Sequence, residues 1–109
     1  MIHAKVTYGR GGAFSLTAEG HAHAARNENG RDLVCCAVST IFGTLANSCT
    51  QLDGVNTTYH NKPGYGHIVV TGVPENLWGV VDARFQMAAD GLAVLAIQYP
   101  DSIRVEENE

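Results

Sequence analysis

The hydrophobic period of this chain changes from two to between three and four and back again, and that alternation restricts it to folds that mix strands with helices. Ile2, Ala4, Val6 and Tyr8 alternate with His3, Lys5 and Thr7, the pattern of a strand with one buried face. Phe14, Leu16 and Ala18 alternate with Ser15, Thr17 and Glu19 across the turn-forming Gly9-Arg10-Gly11-Gly12, so the two runs read as a hairpin. Gly20 to Gly30 is polar and irregular and reads as a loop. From about Arg31 to Leu52 the period lengthens: Val34, Val38, Ile41, Leu45 and Cys49 form one apolar helix stripe. Gly54 closes that region. Val55 to His60 and Gly66 to Gly72 read as strands across a loop containing Asn61-Lys62-Pro63-Gly64. Pro74 and Glu75 suit the first turn of a second helix, with Leu77, Val81, Phe85, Ala88, Leu92 and Leu95 on its inner face. Tyr99-Pro100-Asp101 stops it, and Ser102 to Val105 supplies a closing strand. The order ββαββαβ predicts an α+β two-layer sandwich, with two helices on one face of a mostly antiparallel sheet.

A chain of 109 residues, 45% of them hydrophobic, suffices for one core and is too short for two, so residues 1–109 are read as a single domain. By this reading charge interrupts every apolar stretch, and no run is long and apolar enough to span a bilayer. The first residues lack the basic segment, apolar block and cleavage site of a signal peptide, which makes the cytoplasm the expected compartment. Three cysteines at irregular spacing agree with a reducing environment. Cys35 and Cys36 are adjacent, a poor geometry for a mutual bridge. With a formal charge of −4 and seven scattered Lys and Arg residues, no basic surface for nucleic acid is evident. The charge is compatible with a basic protein partner.

The chemistry concentrates in Gly20-His21-Ala22 and in Gly30-Arg31-Asp32-Leu33-Val34-Cys35-Cys36-Ala37-Val38-Ser39. The first places an imidazole at a strand end and the second a thiol in the first turn of a helix. Unsatisfied amides and the positive end of the macrodipole favour a thiolate there. His21 is then suited to accept the Cys35 proton and later to protonate a leaving amine. The helix-terminal amides are candidates for stabilising an oxyanion. Asp32 is near enough to cap the helix or orient an imidazole, and Ser39 lies one turn after Cys35 on the same face. Singly, each residue has a plainer explanation. Cysteines are commonly inert core residues, and Cys36 and Cys49 are read that way. Asp32 alone is a helix-start residue, Ser39 a small helix residue, His21 a solvated loop residue, and Gly20 a backbone accommodation.

Together, Gly20-His21-Ala22 followed by Gly30-x-Asp32-x-Val34-Cys35-x-Ala37-x-Ser39 resembles the signature of the Prp family of ribosomal-processing cysteine proteases. The segment Gly91-Leu92-Ala93-Val94-Leu95-Ala96-Ile97-Gln98-Tyr99-Pro100 resembles that family's second-helix ending. The resemblance implies a cytoplasmic, homodimeric bacterial endopeptidase that needs no metal or cofactor. It implies Cys35 and His21 as the catalytic dyad, with Gly20, Asp32 and Ser39 supporting the active site. The implied substrate is the N-terminal extension of a large-subunit ribosomal protein; nucleic acid and membrane are not expected partners. Cys36 stands where the family usually has alanine, and the interval from His21 to Cys35 is slightly longer than in familiar members. His23 is an alternative base. Two other readings stay open at this point: a noncatalytic ribosome-associated binding module, and a metal site built from His21, His23 and Cys35, which lacks the spacing of a structural zinc site.

Overall fold

The computed structural model describes residues 1–9, 12–21 and 33–108. Its elements run β1 (Ile2–Tyr8), β2 (Phe14–Glu19), α1 (Leu33–Thr50), β3 (Asn56–Lys62), β4 (Tyr65–Thr71), α2 (Trp78–Gln98) and β5 (Ile103–Asn108). This is the ββαββαβ order read from the periodicity. The strands form one sheet in the order β3-β4-β2-β1-β5. Three pairings are antiparallel, and β5 alone runs parallel to its neighbour β1.

The alternation in β1 and β2 does what its period demands. Ile2, Ala4, Val6, Phe14, Leu16 and Ala18 are buried, joined by Ile68 and Val70 of β4. Both helices cover this face, α1 over β3 and β4 and α2 over β1, β2 and β5. Each fully buried Leu, Ile, Val or Phe contributes about 1.5–3 kcal/mol relative to exposure, so the stripe of α2 (Val81, Phe85, Leu92) and that of α1 anchor the layers. The opposite sheet face stays polar: His60, His67, Thr17, Lys5 and Glu106 form one row across the five strands.

Four details depart from the sequence reading. In α1 the innermost aromatic is Phe42, with Ala46 also buried; Ile41 sits to one side. Its end lies against α2, so that a Cβ at Gly91 would stand 3.2 Å from it. The loop expected at 61–64 shrinks to the two residues Pro63-Gly64, because strand pairing continues to Lys62 opposite Tyr65. Proline followed by glycine at positive φ meets the demands of a type II turn. The second helix opens with a 3-10 turn, Glu75–Leu77, before α2 begins at Trp78.

The fourth departure concerns charge. No charged residue interrupts Leu33–Thr50, and by length and composition α1 is apolar enough to cross a membrane. Its pattern explains that differently: Val34, Val38, Phe42, Leu45, Ala46 and Cys49 are buried on one face, while Thr40, Thr44 and Thr50 on its exposed side back-bond to helix carbonyls. Within this fold α1 is a core helix.

Candidate active site

A cleft of about 500 Å3 opens where the start of α1, the end of β2 and the β3–β4 turn converge. Cys35 and Ser39 of α1 line it one helical turn apart, with Val38 and Phe42 beside them. Gly20 and His21 enter from the end of β2. Asn61 to Gly66 make the facing wall, and Ile2 and Ala18 contribute apolar surface. Cys35 is half-buried, whereas Ser39 and His21 are exposed. The wall is mostly apolar, and the thiol, imidazole and hydroxyl are polar points on it.

Gly20 is required by the backbone. Its φ is +106°, and a Cβ there would lie 2.1 Å from the Met1 carbonyl oxygen, closer than any side chain tolerates. The chain therefore turns past the beginning of β1 immediately before His21. The Gly20 N–H donates to the Gly64 carbonyl at 2.9 Å. That bond carries the β2–β4 pairing one step beyond Glu19–Tyr65 and ties the histidine's backbone to the β3–β4 turn.

Four of the five predicted site residues thus reach one cleft: Cys35, His21, Gly20 and Ser39. Asp32, the fifth, lies outside the described residues, as do His23 and most of the loop read at 20–30. Among the described residues, no three His, Cys, Asp or Glu side chains gather closely enough to hold a metal ion.

The other two cysteines are elsewhere. Cys36, the next residue along the helix, is exposed and does not line the cleft. Cys49, near the far end of α1, is fully buried, and burial raises its thiol pKa above the ordinary value despite Ser48 and Arg84 nearby.

Sequence reasoning missed the facing wall. Pro63-Gly64 signals a tight turn, but only the pairing of β4 with β2, across a long separation in sequence, brings that turn to His21.

A cleft holding a thiol near a helix start and an imidazole, on a two-layer α+β scaffold, has the parts of a cysteine protease. Residues 1–104 match the sequence profile of the family described as cysteine protease Prp, and the chain belongs to that family. Its structure is similar to that of an essential ribosomal processing protease Prp from S. aureus in complex with a covalently linked product peptide. The TM-score is 0.76 and the identity 21%, covering 99% of this chain and 100% of that one. SMU.848 from Streptococcus mutans is similar too, with a TM-score of 0.67 and 25% identity over 99% of this chain and 94% of that one. No curated protein sequence matches the chain.

Proposed function

We propose that this cysteine protease is an endopeptidase that removes the N-terminal extension of a large-subunit ribosomal protein, using Cys35 and His21 as its catalytic dyad. The observation that carries the assignment is that these two side chains, fourteen positions apart by their residue numbers, line one cleft. The S. aureus relative, a ribosomal processing protease crystallised with a substrate peptide and with a covalently linked product peptide, supports a peptide substrate and a ribosomal one.

The reaction is acyl transfer. The Cys35 thiolate attacks the scissile carbonyl, forming a C–S bond and a tetrahedral oxyanion. Collapse of that intermediate breaks the C–N bond, and the His21 imidazolium gives its proton to the departing amine. Water then attacks the thioester while His21 takes its proton. Breaking the C–S bond releases the new carboxyl terminus and restores the thiolate and imidazolium. Amides at the start of α1 are suited to hold the oxyanion. Gly20, Asp32 and Ser39 support this pair, Gly20 by the turn that delivers His21 to the cleft.

We place the enzyme in the cytoplasm as a homodimer. Val80, Met87, Val94 and Ile97, exposed at helical spacing on the outer side of α2, offer an apolar contact surface for a second copy.

The test is incubation of the full-length ribosomal protein from the same organism with wild type, Cys35→Ala, His21→Ala and Cys36→Ala, the products read by mass spectrometry. Cleavage is expected from wild type and Cys36→Ala. It should vanish with Cys35→Ala and fall by about 10²–10⁴-fold with His21→Ala. Absence of cleavage by folded wild type would replace the endopeptidase with a peptide-binding module.

A further inference from the structure

The turn between β3 and β4 does more than close a hairpin. Gly64, at φ +82°, lies directly against the His21 imidazole: a Cβ built on it would stand 2.7 Å from Nε2, 3.1 Å from Cε1 and 3.6 Å from Cδ2. Real side chains do not approach that closely, so a methyl group at position 64 and the ring in its present place exclude one another. The same residue's carbonyl accepts the Gly20 N–H at 2.9 Å. One glycine therefore fixes the backbone leading into His21 through its oxygen and borders the ring through its bare α-carbon. It also lines the cleft, together with Pro63 and Tyr65 on either side.

We infer that Gly64 is a positioning residue for the catalytic imidazole, setting where the His21 ring stands relative to Cys35. This deepens the dyad reading above and rests on it. The backbone bond to Gly20 holds the approach of the chain, and the absent side chain leaves the ring its position. A side chain at 64 would displace the ring, the movable partner of the clash. Displacements of about an ångström in a catalytic group cost up to about a hundredfold in rate.

Two substitutions separate displacement from backbone strain. Gly64→Ala adds a Cβ and strains the positive φ, whereas Gly64→Asn adds a Cβ with a residue that tolerates this conformation better. Gly54→Ala is the control: its φ is +78°, but the nearest atom to an added Cβ is Pro74 Cγ at an ordinary 3.7 Å, and Gly54 does not line the cleft. Each folded variant is measured for kcat and KM on the ribosomal substrate, and for iodoacetamide alkylation of Cys35 across neutral pH with His21→Ala alongside.

Gly64→Asn and Gly64→Ala are both expected to lower kcat by about tenfold to a hundredfold with little change in KM. Their Cys35 alkylation profile should move toward that of His21→Ala. Gly54→Ala should lose stability and keep both wild-type readouts. Wild-type kcat and alkylation in Gly64→Asn would overturn the inference, as would equal losses in Gly54→Ala. A His21→Ala profile identical to wild type in both readouts would instead remove the dyad itself, whatever Gly64 does.

Discussion

The two ends of α1 carry the same side chain in opposite circumstances. Near the amino end Cys35 is half-buried and lines the cleft that His21 also lines. Near the carboxyl end Cys49 is sealed in the core, its thiol held neutral by burial. The helix carries no charged residue between them, so residue type and helix charge do not separate the two thiols. Surroundings do. Toward the amino end, helix amides point outward and favour an anion; at the carboxyl end the dipole is reversed, and the guanidinium of Arg84 reaches in from α2 to donate to the Ser48 carbonyl. Cys36 completes the comparison. It follows Cys35 directly in sequence, yet one helical step turns it out of the cleft into solvent.

The largest effect that sharpens this contrast is on stability. Cys49→Ser replaces a thiol with a more strongly hydrated hydroxyl in a site with no solvent exposure. A loss of about 1–3 kcal/mol is expected, against less than about 0.5 kcal/mol for Cys36→Ser on the exposed side. Urea denaturation measures both. Equal costs would mean that the two cysteines are not differently packed.

A smaller effect appears at alkaline pH. The Cys49 thiol is raised above its ordinary 9.0, chiefly by burial, and the Tyr8 phenol above its ordinary 10.0, by burial and by its hydrogen bond to Glu107. Both groups lose protons more readily in the unfolded chain. Their stabilising contribution is therefore complete below these ordinary values and drains away as pH rises beyond them. Melting temperature should fall above about pH 9, and Cys49→Ala with Tyr8→Phe should flatten that fall. An unchanged slope in the double variant would exclude these groups as its source.

Much of the fold was legible because burial follows period. The alternation of Ile2, Ala4 and Val6 and the spacing of Val81, Phe85, Leu92 and Leu95 are direct records of which face is inward. Ile41 was the instructive exception: spacing placed it on the stripe of α1, but it is only partly buried and lies against Gly91 of α2, while Phe42 is buried in the core. The uncharged length of α1 was misjudged: charge was expected to interrupt every apolar stretch, and none falls within Leu33–Thr50. Of the site, the residues near the two motifs were readable, and the structure brings Gly20, His21, Cys35 and Ser39 to one cleft. The opposing wall was not. Gly64 reaches His21 only through the antiparallel pairing of β2 with β4, a contact that no local pattern encodes.

The most direct test of the central claim is covalent trapping at the nucleophile. A chloromethyl ketone built on the ribosomal N-terminal extension would be added to native enzyme, and the modified residue located by tandem mass spectrometry. The account predicts a single adduct on Cys35, formed far more slowly in His21→Ala. An adduct on Cys36, or none on folded enzyme that cleaves the extension, would contradict it.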